Sequence, residues 1–342
     1  MKKRKKATLK SIADAIGVTP STVSKALRDS PDISEEMRGK IKGLSQKLGY
    51  RPNLMARTLI NRHSNLLGVI IPDLRISFIS EATRGIYEQA RQRGYVAILM
   101  VNDEEPDNER KNLEFLSDLR VDGILLNPVP GKNNYNIYKE LIEEEIPVVC
   151  YDRKLDGFDF HSVTIDDREA SFKLTSRLIQ DGRKKIVFLG PNEGFSVAVD
   201  RFQGYVDALK ANSTPIDSDY VVSTELDTKD SFETTKKMLS RGLKVDAIVC
   251  IGGLVAYGAG QAVLESHLSI PDDIVLGEFG DNNIVARLGV PFFTINQNPY
   301  LMGQTAVDLL LDNIENKGAA EFPNHIIIDT QLIHRNIGEF RE

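Results

Sequence analysis

Cysteine is nearly missing from this 342-residue chain, and the two that occur, Cys150 and Cys250, each close an apolar run (IPVVC and VDAIVC) far from the other. That placement fits buried, reduced thiols better than a disulfide or a thiolate metal site. The five histidines show no ligand spacing, so no metal is expected. Long apolar runs are lacking too: nothing approaches the roughly 18 consecutive apolar residues of a membrane span. The lysine-rich start has neither the apolar core nor the small-residue cleavage site of a signal peptide, so a cytoplasmic chain with no membrane partner is expected. Enzymatic signatures are equally scarce. No nucleophile, base and orienting group stand at motif spacing, and no phosphate loop occurs. The stretch GGLVAYGAG, from Gly252 to Gly260, lacks the GxGxxG pattern and ribose-binding acid of a dinucleotide site, and reads as tight packing at a strand–helix turn. No enzyme and no cofactor are therefore expected. What remains is a soluble composition, 41% apolar and 27% charged, with room for two or three domains.

The charge is unevenly spread. Residues 1–62 hold 15 Lys and Arg against 5 Asp and Glu, whereas the rest holds 28 against 44. A basic front on an acidic body points to a polyanionic partner for the front alone. Within that front, Thr8 is a good N-cap, LKSIADAI places Leu9, Ile12, Ala13 and Ile16 on one face, and Gly17 stands where a helix ends. Thr19 then caps a second helix that opens with Pro20, a position where the missing N–H costs nothing. Val23, Ala26 and Leu27 face inward, leaving Pro20, Ser21, Thr22, Ser24, Lys25 and Arg28 on the open face. A capping-box pattern from Asp32 to Glu35 predicts a third helix with Met37, Ile41, Leu44 and Leu48 inward and Gly49 closing it. Two short helices joined by a glycine turn and packed on a third form a helix-turn-helix unit; the alternative is a protein-docking module. Next, Asn53 can cap LMARTLI, a helix well below the roughly 12–15 residues needed for stability alone.

TLKSIADAIGVTPSTVSKAL, then LGYRPNLMARTL, then LLGVIIPD, in this order, resemble the LacI/GalR family of bacterial transcription regulators. The resemblance runs from about residue 7 nearly to the C-terminus. It implies base contacts from Pro20, Ser21, Thr22, Ser24 and Lys25 in the major groove of double-stranded DNA, supported by Thr8, Leu9, Lys10, Thr19, Arg28 and Tyr50. Lys25 stands where arginine is frequent and lacks its rigid fork. The resemblance further implies a hinge helix that pairs with its copy from a second subunit, with Leu59 wedged in the minor groove and Asn53, Ala56 and Arg57 beside it. A homodimer on a pseudo-palindromic operator follows.

From residue 65 onward β-branched runs alternate with amphipathic stretches, which predicts parallel sheets covered on both faces. The fold class expected is α/β: an all-α headpiece (1–52), a hinge (53–63) and a two-lobed, periplasmic-binding-protein-like body (64–342). Lobe 1 is assigned 64–162 and 292–324, and lobe 2 163–291 and 325–342. Parallel sheets bind ligands beyond their carboxyl ends. Strand-end residues Pro72, Asp73, Asn102, Asp103, Pro128, Tyr151, Asp152, Asn192, Gly252, Gly253, Asp281, Asn282 and Gln297 then converge on a cleft. Matched to the family's pocket, Asp152, Arg201 and Asp281 become hydrogen-bonding candidates, with Asp73 beside them and Phe78 and Tyr151 as apolar walls. Two departures stand out: Gly252-Gly253 replaces a frequent Asn-Asp pair, and Leu226 replaces an aromatic platform. The expected function is a transcriptional regulator, a repressor first, controlled by a carbohydrate-like effector. The alternatives are a corepressor-type regulator sensing a non-sugar metabolite, or an enzyme built on the two-lobed body.

Overall fold

The computed structural model describes residues 7–50, 63–155, 157–280, 283–316 and 324–336. Contacts divide the chain into two units, Met1–Ser64 and Asn65–Glu342.

In the first unit, α1 (Leu9–Ile16) begins at Thr8 with a reciprocal cap: Thr8 Oγ1 accepts the Ser11 N–H at 3.1 Å and Ser11 Oγ accepts the Thr8 N–H at 2.8 Å. Gly17, at φ 77°, turns the chain out of the helix, as only glycine does without strain. Thr19 caps α2 (Pro20–Leu27) by accepting the Thr22 N–H at 3.2 Å. The third helix, α3 (Glu35–Lys47), departs from expectation at its start. Ser34, not Asp32, caps it, because Ser34 directly precedes the helix and reaches the Met37 N–H at 3.4 Å. Asp32 stands two residues too early and instead accepts from Lys25 Nζ at 3.0 Å. Ile12, Ala13, Val23, Ala26 and Ile41 form a small core fully shielded from solvent.

The second unit holds two six-stranded sheets. Chain order gives β1 (Leu66–Ile71), α4 (Ser77–Gln92), β2 (Val96–Val101), α5 (Pro106–Asp118), β3 (Gly123–Leu126), α6 (Tyr135–Glu143), β4 (Val148–Tyr151) and β5 (His161–Ile165) in the first lobe. Then follow α7 (Asp167–Gln180), β6 (Ile186–Leu189), α8 (Ser196–Ala211), β7 (Val221–Val222), α9 (Thr228–Ser240), β8 (Ala247–Cys250), α10 (Gly253–Glu265), β9 (Val275–Phe279), α11 (Asn283–Ala286) and β10 (Phe292–Asn296) in the second. The chain returns through α12 (Pro299–Glu315) and β11 (His325–Ile328) to the first lobe and ends with β12 (Gln331–Arg335) in the second. The sheet orders are β11-β5-β4-β3-β1-β2 and β12-β10-β9-β8-β6-β7; all pairs are parallel except β10 with β12.

These orders move the crossings later than the sequence placed them. Residues 163–165 complete β5 in the first sheet, 292–296 lie in the second sheet, and 325–328 pair with β5 in the first. Sheet pairing decides the assignment, and each strand runs to its cleft end before the chain changes lobe. Cys150 and Cys250 are both free and buried, and burial pushes the Cys150 thiol up to about 12.

The helices α4 and α12 cover the first sheet with backbones in near contact. A Cβ added at Gly303 would sit 2.1 Å from the Ala82 carbonyl oxygen, and one added at Gly85 would sit 2.2 Å from the Tyr300 carbonyl oxygen. Gly303→Ala therefore has to push two helices apart and is expected to cost about 1–3 kcal/mol, the usual range for overpacking. Gly43→Ala in α3, where an added Cβ meets nothing within 4 Å, is expected to gain about 0.5–1 kcal/mol in the headpiece transition. Urea unfolding monitored by circular dichroism reads both signs.

Candidate functional site

The carboxyl ends of the parallel strands face a cavity of about 120 Å³ between the lobes. From the first lobe, Pro72 follows β1, Ile76, Phe78 and Ile79 form the first turn of α4, and Asp152 and Arg153 follow β4. From the second, Phe195 and Val197 open α8, Ile251 to Val255 join β8 to α10, and Phe279 ends β9; Leu226, Arg201 and Gln297 complete the lining. Most of the wall is apolar, and its polar groups gather around Arg201.

Arg201 is 5% exposed and spends its donors on three partners. Nε donates to Asp167 Oδ1 at 2.7 Å, Nη1 to the Ile251 carbonyl at 2.5 Å, and Nη2 to Gln297 Oε1 at 2.9 Å, while the guanidinium lies 4.0 Å from the Phe279 ring centroid. Asp167 stands at the first crossing between lobes and Gln297 at the second. Arg201 therefore ties two of the three crossings to the end of β8 as well as facing the cavity. Burial pushes the Asp167 carboxyl up to about 7, against the pull of Arg201. Asp152 adopts φ 66° and accepts from Asn127 Nδ2 at 3.0 Å. Burial raises its pKa, against the charges of Arg153 and Arg201 and the Asn127 bond.

Of the effector candidates, Phe78, Asp152 and Arg201 line the cavity. Tyr151 does not: its ring is fully buried in the core of the first lobe and its hydroxyl donates to the Ile70 carbonyl at 3.3 Å. β4 ends at Tyr151, and Asp152 and Arg153 just beyond it line the cavity at the strand's carboxyl end. Asp73 is absent from the lining because its carboxylate is held by Arg75, at 2.8 Å from Nε and 2.6 Å from Nη2. Asp281 lies outside the described residues, as do Asn53, Ala56, Arg57 and Leu59. Sequence reasoning missed Arg153, Phe195 and Phe279. Arg153 carried a signal, standing one residue beyond a strand-end aspartate; Phe195 and Phe279 did not, since nothing local distinguishes a cavity phenylalanine from a core one.

On the headpiece, Lys10, Thr19, Pro20, Ser21, Lys25 and Arg28 are exposed and Thr22 and Ser24 half-buried. Leu9 and Tyr50 pack against the small core. Lys25 is held by Asp32, and Arg28 Nε donates to the Ser24 carbonyl at 3.3 Å. On the body, β2 is the outer strand of its sheet, and with α4 it exposes Leu99 and Tyr87 around a shallow groove. Among the described residues no three metal-binding side chains cluster, and no helix is long and apolar enough to cross a membrane.

A helix-turn-helix headpiece ahead of a two-lobed body with an inter-lobe cavity defines a class, that of ligand-responsive DNA-binding regulators. The description "Bacterial regulatory proteins, lacI family" matches residues 8–53, and "Periplasmic binding proteins and sugar binding domain of LacI family" matches residues 64–337. The chain belongs to the LacI family and is a DNA-binding transcriptional regulator. Its relatives include the ribose operon repressor of Bacillus subtilis, 30% identical over 92% of this chain and 94% of that protein. The transcriptional regulator KdgR of the same organism is 30% identical over 96% of each, and RegA of Clostridium saccharobutylicum 28% identical over 96% and 98%. The lac repressor dimer bound to operator and an anti-inducer superposes at a TM-score of 0.86, with 24% identity over 97% of this chain and 99% of that one. The cellobiose complex of the regulator CelR gives 0.74, at 24% identity over 97% and 100%.

Because Arg201 is buried against Asp167, removing it alone strands a carboxylate. Arg201→Met is expected to destabilise the body by about 3–5 kcal/mol, the usual cost of breaking a buried ion pair. Adding Asp167→Asn is expected to recover part of that loss; urea unfolding of the single and double variants gives the comparison.

Proposed function

We propose that this chain is a repressor acting as a homodimer on a pseudo-palindromic operator, with a small hydroxyl-rich effector, a sugar or sugar derivative, bound between the lobes. The observation that carries the reading is the cavity itself: Asp152, Arg201 and Gln297 line it together with apolar surface from Phe78, Ile79 and Leu254. Hydroxyls suit the polar groups and the C–H face of a sugar ring the apolar surface. Relatives named for the ribose operon and a neighbour holding cellobiose support the same chemistry. A second reading, a corepressor-type regulator of a less polar metabolite, is favoured by Gly252 and Gly253, which give the lining no side-chain donor.

The DNA contacts proposed are Pro20, Ser21, Thr22, Ser24 and Lys25 in the major groove and Asn53, Ala56, Arg57 and Leu59 in the minor groove. Thr8, Lys10, Thr19 and Arg28 are placed on the phosphate side, while Leu9 and Tyr50 support the helices from within. Lys25 exchanges its exposed partner Asp32 for a base or phosphate, and an exposed pair is cheap to give up, at about 0–1 kcal/mol. The domains are 1–52, 53–63 and 64–342, and the protein works in the cytoplasm with no catalytic role of its own.

Mobility shift on DNA upstream of the chain's own gene, at low salt, with and without D-ribose, cellobiose and sugar phosphates, tests the regulator. Retardation that one of these compounds changes is expected; no retardation of any upstream fragment rejects the reading. The same compounds in a thermal-shift assay identify the effector, since a ligand at 100 times its Kd stabilises by about 2.7 kcal/mol. The dimer is assigned to the exposed face of β2 and α4. Leu99→Lys is expected to yield monomers at micromolar concentration by sedimentation velocity, and an unchanged sedimentation coefficient would remove that face as the interface.

A further inference from the structure

We propose that Arg153 is a latch across the cleft, holding the lobes together through the ring of Phe195. Its guanidinium lies 4.9 Å from the Phe195 ring centroid. The arginine follows β4 of the first lobe, whereas Phe195 precedes α8 of the second. Among the described residues, everything else that holds Arg153 belongs to the first lobe. Nη1 and Nη2 donate to the two Glu104 oxygens at 2.8 and 2.7 Å, Nη1 reaches the Pro128 carbonyl at 3.4 Å, and Nε stands 3.9 Å from Asp152.

That mounting fixes the plane of the guanidinium. A bidentate carboxylate grips one edge of the fork and sets its orientation, which a lysine could not reproduce. Glu104 is itself presented by two consecutive residues in the left-handed region, Asp103 at φ 54° and Glu104 at φ 58°, with the Glu104 N–H bonded to Asn102 Oδ1 at 3.0 Å. Left-handed non-glycine backbone persists only where surroundings over-determine it, and such strain gathers at functional sites. The Pro128 side is anchored through Val129, whose N–H donates to the buried Glu109 carboxylate at 2.7 Å; Asn134 and Tyr138 bond the same carboxylate. A rigid arm on one lobe thus meets a single ring on the other, and both residues line the cavity.

The consequence is a bias toward closure that needs no ligand. Separating the lobes takes the ring off the guanidinium and lets water between them, so the stack stabilises the closed arrangement. An effector that needs the closed cleft then binds more tightly than it would without the latch, by the factor through which the latch enriches that state. This last step rests on the effector reading above; the latch itself does not.

The chain contains no tryptophan, so Phe195→Trp installs a single fluorophore at the contact. Full-length F195W is compared with F195W/R153M and with F195W/R153M/E104Q, the last removing the Glu104 carboxylate that would lose its two-pronged partner, all free of ligand and DNA. Loss of Arg153 is expected to raise acrylamide quenching of the tryptophan at least twofold in both backgrounds, and hydrogen exchange over residues 191–197 to quicken in R153M on the natural Phe195. Equal quenching with and without Arg153, or unchanged exchange over that segment, overturns the latch. Because no effector or operator enters the measurement, such a failure leaves the regulator reading untouched, and failure of every sugar in the thermal-shift screen leaves the latch untouched.

Discussion

The buried guanidinium of Arg201 is the constraint around which the body is arranged. An arginine removed from water must have its charge and its donors satisfied, or the fold loses several kcal/mol. Here the satisfaction comes from Asp167, Gln297 and the Ile251 carbonyl, which means from two of the three inter-lobe crossings and from the end of β8. The same side chain therefore borders the cavity and fixes the segments about which the lobes would turn. A ligand that competes for Asp167 or Gln297 disturbs a crossing directly. Cavity occupancy and lobe geometry are in this way linked by one residue, without a longer chain of intermediates.

Backbone groups supply much of the remaining polarity of the cleft. The helices α4, α8 and α10 begin there at Ile76, Phe195 and Gly252, and none of the three has a side-chain cap. The helices α7 and α9, by contrast, are capped by Asp166 and Asp227. Uncapped first turns leave N–H groups and the positive end of the helix dipole available at the cavity. These donors sit beside carboxylates whose pKa values burial raises, so the cleft balances two tendencies: charge that desolvation disfavours and dipoles that favour it.

What the sequence could show followed from how local each feature is. The headpiece was legible nearly residue by residue because caps, a proline at a helix start and a left-handed glycine are near-neighbour effects; Asp32, with a rival partner in Lys25, misled, and Leu48, expected inward, is exposed because it lies past the end of α3. Central strands were legible as continuous apolar runs, while β7, β11 and β12 were not, being short edge strands with mixed exposure. Asp152, named through the strand-end rule and the family resemblance, and Arg201, named through the resemblance, both line the cavity. Tyr151 was misplaced because it is still within β4, its ring in the core, while the cavity begins one residue later, and Asp73 because its partner Arg75 stands only two residues on. Phe195 was invisible since its role exists only when the other lobe is present.

The headpiece's independence limits how regulation can operate. Its core of Ile12, Ala13, Val23, Ala26 and Ile41 is fully closed by its own three helices, each capped by its own Thr8, Thr19 or Ser34. Among the described residues that core draws on headpiece side chains alone, so an effector bound in the body has no purchase on the shape of α2. It can act only on how two headpieces are presented to two half-sites, through the segment between units and the spacing of the subunits in the proposed dimer. A coupling of about 1–3 kcal/mol suffices for a 5- to 150-fold change in affinity. A cleft already biased toward closure by a contact such as Arg153 with Phe195 leaves the effector less of that change to supply, which makes the resting position of the lobes as much a determinant of the response as the ligand's own contacts.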